Sequence, residues 1–243
     1  MRLAALLTVT LATALALATS GAPAADATRT CRAGTVQKMG TPTRAYAAVV
    51  RRSARAYKTP GGAVVHRFDR ITVNGGPTVF GVVGRIVTAR CKPTWYRVQL
   101  PVRPNGTTAW VHAFGVKLAR VSMRIEVDLR RRRLTLFARG RPLLSARIAV
   151  GTSATPTPRG RYYVKEELLT TYRGGPYGPG ALGLSAYSPV LKGWAQGGPI
   201  GIHGTNEPSS IGRARSNGCI RVFNPVAARL LHVVPLGTPV VVR

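Results

Sequence analysis

Short apolar runs, broken at close intervals by glycine, proline and asparagine, restrict what this chain can fold into. Breaks fall at residues 59–62, 74–77 and 104–106, which read Thr-Pro-Gly-Gly, Asn-Gly-Gly-Pro and Pro-Asn-Gly. Runs of this length, separated by turn residues, are typical of short strands in a small barrel. The first half is therefore predicted to be β, with strands at residues 63–65, 71–73, 79–83, 95–100 and 109–112.

The second half continues in short strands and adds one helix. Residues 125–129 alternate apolar and acidic side chains, as a half-buried strand does. The same pattern predicts strands at residues 134–138, 144–150, 161–164 and 239–242. A helix is expected at residues 226–232, because Asn224 is a good N-cap, Pro225 suits the first helical position and Pro235 ends the run. The chain as a whole is predicted to be mainly β.

Residues 166–200 interrupt this pattern with many glycines and prolines, so no single regular element is expected to span them. The segment lies just before His203, and we interpret it as a loop or flap over a site. Tyr177, Tyr187 and Trp194 are then candidate substrate contacts. A long surface loop without function is the alternative.

Cys219 and His203 supply the groups needed for acyl transfer within one short segment. A thiolate attacks carbonyl groups well, and a nearby imidazole can take the proton from its thiol. Gly204 and Gly218 lack a β-carbon, so a substrate carbonyl could approach the backbone closely. The functional interpretation is a thioester on Cys219, and the alternative is a structural cysteine near an unrelated histidine.

The residues around this pair read His203-Gly204-Thr205 and Ser216-Asn217-Gly218-Cys219-Ile220-Arg221. They resemble the signature of the YkuD-type L,D-transpeptidases, H-G-T followed after a gap by [S/T]-x-G-C-[I/V]-R. Residues 150–160 also match the glycine, threonine and proline region of that family, and the resemblance covers nearly all of residues 120–243. Many members carry a second histidine where this chain has Asn217, but the nucleophile and the base are intact.

The resemblance implies a β-sandwich catalytic domain over residues 120–243, with a short helix after the catalytic cysteine. It implies that Cys219 attacks the carbonyl between the third and fourth residues of a peptidoglycan stem peptide. His203 would activate the thiol, and the backbone carbonyl of Gly204 would orient the imidazole. Cross-linking of two stems is the implied outcome. A cysteine-dependent carboxypeptidase that cuts stems and a non-catalytic wall-binding protein are the alternatives.

Further substrate contacts are expected beside the cysteine. The fork of Arg221 suits a stem carboxylate, Ser216 is expected to hold the turn before Cys219, and Asn217 replaces the second histidine. His66, His112 and His232 stand apart from any metal-ligand spacing. The sequence contains no cofactor motif or metal cluster, and none is implied.

Within residues 45–119, the order W-Y-R-V, a turn and A-W-V resembles bacterial SH3-like domains, which often precede catalytic domains in cell-wall enzymes. This resemblance implies an SH3-like small β-barrel over residues 45–119, after a leader segment at residues 25–44. Trp95, Tyr96 and Trp110 are candidates for a wall-binding groove. The alternative is that these aromatic rings fill the barrel core.

Residues 1–24 have the parts of a secretory signal: a positive start at Arg2, an apolar run over residues 3–19 and a final Ala-Pro-Ala. The protein is therefore expected to be exported to the cell wall or a periplasm-like space, without stable membrane insertion after cleavage. An uncleaved anchor is the alternative.

Three cysteines in an exported chain leave one unpaired. Cys219 is the natural free thiol, so Cys31 and Cys91 are predicted to form a disulfide in an oxidising compartment. In the alternative, Cys31 lies in a disordered leader and never meets Cys91.

The chain carries 36 basic and 7 acidic residues, a formal net charge of +29. Such a charge favours an anionic partner. The basic residues are scattered, and neither a zinc finger nor another nucleic-acid motif is present, so nucleic acid is not expected. An anionic cell-wall polymer is the better candidate. The alternative is a generally arginine-rich proteome.

Overall fold

The structure, a computed structural model, describes residues 30–243. The predicted signal at residues 1–24 lies outside the described residues, as does the start of the predicted leader. The described chain is mainly β with one short helix, α1 (Asn224–Val233), which confirms the predicted fold class. No helix of residues 30–243 is long and apolar enough to cross a membrane.

Eight strands form a sheet in the first half. They are β1 (Val36–Lys38), β2 (Ala45–Val50), β3 (Ser53–Tyr57), β4 (Val64–Asp69), β5 (Val79–Val87), β6 (Pro93–Gln99), β7 (Thr108–His112) and β8 (Val116–Val121). Their order is β4-β3-β7-β6-β5-β2-β8, and β1 pairs with β5. Phe80, Val98 and Leu100 are fully buried in the core of this half. The resemblance to SH3-like domains stays a prediction.

Two expectations for this half differ from the structure. The predicted leader at residues 25–44 contains β1, which pairs antiparallel with β5. The predicted strand at residues 71–73 is instead part of a tight turn, in which Ile71 forms an isolated bridge with Pro77. The Thr72 N–H donates to the Gly76 carbonyl at 2.8 Å, because the Asn-Gly-Gly-Pro sequence reverses the chain earlier than predicted. Residues 70–78 therefore form a projecting turn between β4 and β5, which we call the β4–β5 tip.

The second half contains ten strands. They are β9 (Met123–Asp128), β10 (Arg133–Ala138), β11 (Arg141–Arg147), β12 (Val150–Gly151), β13 (Gly160–Leu169), β14 (Gly180–Tyr187), β15 (Pro199–His203), β16 (Ala214–Ser216), β17 (Ile220–Arg221) and β18 (Pro239–Val242). Eight of them form a sheet in the order β11-β10-β9-β18-β13-β14-β15-β17, and β12 pairs with β16. The final strand is inserted between β9 and β13, so the chain end lies inside the sheet.

The expected flap over residues 166–200 is only partly a loop. Residues 166–169 end β13, and residues 180–187 form β14, which is buried between β13 and β15. The flap interpretation is therefore wrong for β14. Loops remain at residues 170–179 and 188–198, on either side of this strand.

Helix α1 packs against β14 and β15, and its Leu230 belongs to the same core as Leu182 and Ile202. The helix begins at Asn224, one residue before Pro225, which was the predicted first helical position, and Phe223 is at the N-cap position. The Asn224 side chain does not cap the helix. Its Oδ1 accepts the Thr205 N–H at 2.7 Å, which ties the loop after β15 to the start of the helix.

The two halves touch through close backbone contacts. A Cβ on Gly81 would lie 2.8 Å from Tyr163 Cδ1, so the glycine permits the tyrosine ring to reach the first sheet. The Gln99 Nε2 donates to the Arg161 carbonyl at 2.8 Å. Only Ser122 separates β8 from β9. The sheets are therefore joined without a linker.

A disulfide joins Cys31 to Cys91, the pair predicted from the cysteine count, with a Cα–Cα distance of 5.1 Å. It connects the segment before β1 to the turn between β5 and β6. Cys219 is the free cysteine of the described chain.

Candidate active site

The register of β15 and β17 brings the cysteine and the histidine to one face of the sheet. These parallel strands pair His203 with Arg221, which places Cys219 opposite Gly201. Side chains alternate along a strand, so His203, Cys219 and Arg221 share a face. Ile202 and Ile220, which precede His203 and Arg221, point to the other side of the sheet and are buried.

The Cys219 thiol lies half-buried in a cavity of about 350 Å³ that His203 also lines. Its Sγ accepts the Gly201 N–H at 3.4 Å, and its S–H is directed to the Pro199 carbonyl at 3.9 Å. Burial raises the pKa of the thiol, while the Gly201 N–H and the positive charge of Arg221 act in the opposite direction. The resting cysteine is therefore a protonated thiol at neutral pH.

The His203 imidazole is buried, with 5% of the residue exposed. Its Nδ1 lies 2.5 Å from the Gly204 carbonyl oxygen. Because that oxygen can only accept, Nδ1 carries the proton and Nε2 keeps a free lone pair. Burial lowers the pKa of His203 to about 4; Arg221 also lowers it, and the Gly204 hydrogen bond opposes the shift. The ring is a neutral base at neutral pH, and Tyr177 packs edge-on against it at 5.0 Å.

Activation of the thiol by His203, which the resemblance implied, requires the imidazole to come within hydrogen-bond reach of Cys219. The structure places both in one cavity, but in residues 30–243 the hydrogen-bond partners of the thiol are main-chain groups of β15. Catalytic hydrogen bonds are often loose before a substrate is bound. A contact between thiol and imidazole therefore stays a prediction for the substrate complex.

A tight turn before Cys219 fixes the nucleophile. The Ser216 hydroxyl donates to the Cys219 carbonyl at 2.5 Å and accepts the Gly218 N–H at 3.2 Å. Gly218 has φ +113°, a backbone conformation that favours glycine. The Thr157 hydroxyl donates to the Gly218 carbonyl at 2.8 Å, which anchors the turn to the region between β12 and β13.

Arg221, predicted to contact a stem carboxylate, is already paired in the structure. Its Nη1 lies 2.6 Å from Glu207 Oε2, and Arg215 also approaches Glu207, at 3.7 Å. The positive charge of Arg221 acts to lower the pKa of both His203 and Cys219. Its position supports an electrostatic effect on both reactive groups.

The remaining predicted contacts fall into different environments. Trp194 lines the cavity and is 52% exposed. Asn217 is exposed on the turn and is not part of the cavity lining. Tyr187 is not among the residues that line the cavity, and its role as a substrate contact stays a prediction; its hydroxyl donates to the Pro101 carbonyl at 2.7 Å. Asn105 accepts its N–H at 2.9 Å. These bonds turn Tyr187 towards the first sheet.

Among the cavity residues that sequence reasoning missed is a hydrogen-bonded group: Asn74 of the β4–β5 tip, Glu166 of β13 and Gln196 of the second loop. Asn74 Nδ2 donates to Glu166 Oε2 at 2.7 Å, and its Oδ1 accepts from Gln196 Nε2 at 3.1 Å. The only sequence signal was that Glu166 is one of just seven acidic residues. In residues 30–243, no group of three or more His, Cys, Asp or Glu side chains is placed to hold a metal ion.

Comparison with known proteins places the second half in a family. Residues 122–242 match the YkuD model, described as the L,D-transpeptidase catalytic domain. This segment therefore belongs to the YkuD family of L,D-transpeptidase catalytic domains, and the resemblance stated from the sequence is confirmed.

Two curated relatives carry the same family name. The L,D-transpeptidase YkuD of Bacillus licheniformis is 41% identical over 120 residues, and that of Bacillus subtilis strain 168 is 38% identical over 119 residues. Each match covers 49% of this chain and 65% of the relative. The chain thus spans just under two thirds of the length of these relatives.

Solved structures with a similar arrangement include two transpeptidases. An L,D-transpeptidase mutant from Enterococcus faecium is 28% identical, with a TM-score of 0.38, over 50% of this chain and 49% of that chain. An L,D-transpeptidase from Mycobacterium smegmatis is 16% identical, with a TM-score of 0.41, over 61% of this chain and 89% of that chain.

Proposed function

We propose that the protein is a peptidoglycan L,D-transpeptidase that cross-links stem peptides through a thioester on Cys219. The observation that carries the proposal is the hydrogen bond from His203 Nδ1 to the Gly204 carbonyl, beside a cysteine in the same cavity. This bond leaves Nε2 as the one ring nitrogen able to accept a proton from the thiol.

The first half-reaction starts from a neutral thiol and a neutral imidazole. Sγ attacks the carbonyl carbon between the third and fourth residues of a tetrapeptide stem, while Nε2 of His203 takes the thiol proton. The C–N bond then breaks, and the imidazolium returns the proton to the leaving amine of the terminal D-alanine. The acyl group of the third residue remains on Cys219 as a thioester, and His203 is again neutral.

The second half-reaction reverses the roles. The side-chain amine of a diamino acid on another stem attacks the thioester carbonyl and loses a proton to His203. The C–S bond breaks, and the imidazolium protonates the departing thiolate. The products are a cross-linked dimer and the starting enzyme. Water as acceptor would instead release a tripeptide.

The setting of this reaction follows from the same proposal. An enzyme acting on stem peptides must be exported to the cell wall or a periplasm-like space. The net charge of +29 supports a position among anionic cell-wall polymers. The first sheet is proposed as a separate domain over residues 45–119, ahead of the catalytic domain at residues 120–243.

The test is incubation of purified protein with disaccharide-tetrapeptide, followed by mass spectrometry of the products. Cross-linked dimers are expected, and the Cys219→Ala variant serves as the matched control that forms none. Tripeptides without dimers would identify a carboxypeptidase. If the tetrapeptide remains unchanged, the proposal is contradicted, and the non-catalytic wall-binding protein is the remaining alternative.

A further inference from the structure

The cavity that holds Cys219 also holds a buried carboxylate. Glu166 lines it, and only 4% of this residue is exposed. A carboxylate is rarely buried unless a partner stabilises its charge. The chain has 36 basic and only 7 acidic residues, so an acidic side chain buried at the reactive cavity is a candidate functional group.

The sheet register connects this carboxylate to the thiol. Glu166 pairs with Gly183, and Gly183 pairs with Gly201 on the next strand. The parallel register of β15 and β17 then sets Gly201 opposite Cys219. One row across four strands therefore has a carboxylate at one end, a thiol at the other and two glycines between them.

The two glycines leave the row open as a groove. A Cβ on Gly183 would lie 2.6 Å from Glu166 Cγ and 2.8 Å from its Oε1, so the carboxylate occupies the space above that glycine. The thiol approaches the neighbouring strand, where it accepts the Gly201 N–H at 3.4 Å. Neighbouring strands lie about 4.8 Å apart, so the backbones at the two ends of the row are about 14 Å apart. Both side chains reach inwards by about one strand, which leaves roughly 5–10 Å between the carboxylate and the thiol.

An irregularity in β13 aims Glu166 into the groove. The register of β13 against β14 shifts between Val164 and Glu166, which marks a β-bulge. Bulges redirect side chains and are frequent beside active sites. Lys165 Nζ then reaches Glu166 Oε1 at 2.5 Å, and Asn74 Nδ2 reaches Oε2 at 2.7 Å.

These two partners hold the carboxylate without saturating it. A carboxylate has about four lone-pair sites, and Lys165 and Asn74 each occupy one. The ion pair with Lys165 supplies the partner that a buried acid needs. Free acceptor positions remain for a further donor from the cavity.

We infer that Glu166 is a specificity residue that binds the side-chain amine of the diamino acid in the donor stem. The inference rests on the proposed function, because that function places the carbonyl of the diamino acid at Cys219. From this carbonyl carbon to the terminal amine there are six bonds of about 1.5 Å, roughly 7 Å when extended. This length matches the groove, and a charge-assisted bond to Glu166 would select an ammonium group over a neutral chain.

The assay measures donor use alone, as the first-turnover release of D-alanine from disaccharide-tetrapeptide with enzyme in excess, because this acylation step needs no acceptor amine. The donor is offered with its side-chain amine free and with that amine acetylated. The wild-type protein is expected to favour the free amine about tenfold or more in the second-order rate of this acylation step. In Glu166→Gln this ratio should fall. It should come within about twofold of the ratio that the same variant shows at high salt, where charge is screened and only the bulk of the acetyl group distinguishes the donors.

Two controls separate this inference from other failures. Glu167→Gln changes an exposed acid on the same strand and should retain the wild-type preference. Acylation of Cys219 by a carbapenem, which has no diamino side chain, should still form a single adduct in both variants, which shows that they are folded.

The possible outcomes separate a failure of the proposed function from a failure of the inference about Glu166. If the wild-type protein is not acylated, the proposed function fails and the inference fails with it. If it is acylated but prefers neither donor, or if Glu166→Gln retains the preference, the inference alone is overturned. Should Glu166→Gln not fold, equal use of the two donors by the wild-type protein would still overturn the inference, because that comparison needs no variant.

Discussion

The pH dependence of thiol acylation tests the protonation states derived for the reactive pair. Burial lowers the pKa of His203 to about 4, whereas an ordinary histidine has a value of 6.5. At pH 5 an imidazole with a pKa of about 4 is about 90% neutral, whereas one at 6.5 is about 3% neutral. Since only the neutral ring can accept the thiol proton, acylation by a carbapenem should persist at pH 5.

The expected profile has an acid limb near pH 4 and a plateau from about pH 5 to pH 8. Burial also raises the pKa of Cys219, so little free thiolate should contribute on this plateau. The measurement is the rate of adduct formation by mass spectrometry at constant ionic strength. An acid limb centred near 6.5 would show that His203 is hydrated like a free imidazole and would refute the burial argument. A rate that rises steadily through pH 6–8 would indicate attack by a pre-formed thiolate.

The same pKa makes a prediction about stability. The unfolded chain binds a proton on His203 below pH 6.5, whereas the folded chain resists protonation until about pH 4. Stability from this group is therefore present above pH 6.5 and declines as the pH falls to 4, by about 3 kcal/mol in total. Urea unfolding of His203→Gln should lack this component, while a variant of the exposed His232 should retain it. Equal pH dependence in both variants would contradict the assignment.

Three further predictions concern the nucleophile, its turn and the disulfide. A carbapenem should form a single adduct that is absent from Cys219→Ala, and an unchanged adduct on that variant would exclude Cys219. Ser216→Ala should lose about 1–3 kcal/mol of unfolding free energy and slow acylation, because a buried N–H and carbonyl lose their partner. The exposed Ser145→Ala is its control, and equal behaviour of the two would argue against the turn. Thiol titration of denatured, unreduced protein should find one reactive thiol, and three would refute the Cys31–Cys91 bridge.

The sequence predicted those elements that local residue patterns determine. Strands β9 and β10 alternate apolar and polar residues, and their positions were predicted within two residues. Helix α1 was found because a proline suits its first turn. The placement of Cys219 and His203 in one cavity was predictable because a short motif carries both residues.

The errors arose where tertiary context replaced local pattern. Strand β14 reads Gly-Ala-Leu-Gly-Leu-Ser-Ala-Tyr, which is poor in β-branched residues, and it forms because both of its faces are buried. Glu166 was missed because its aim depends on a bulge that pairing with β14 creates. Asn74 was missed because nothing local indicates that the β4–β5 tip reaches a cavity more than ninety residues later in the chain.

The single residue between β8 and β9 determines how the protein can meet a polymer. An extended chain gains at most about 3.5 Å of reach per residue, so Ser122 offers no tether on which one half could swing. Contacts such as that of Tyr163 with Gly81 restrict bending as well. A ligand held on the first sheet would therefore fix the angle at which the thiol faces its target. The distance from such a ligand to Cys219 would likewise be set by the fold and not by a flexible linker.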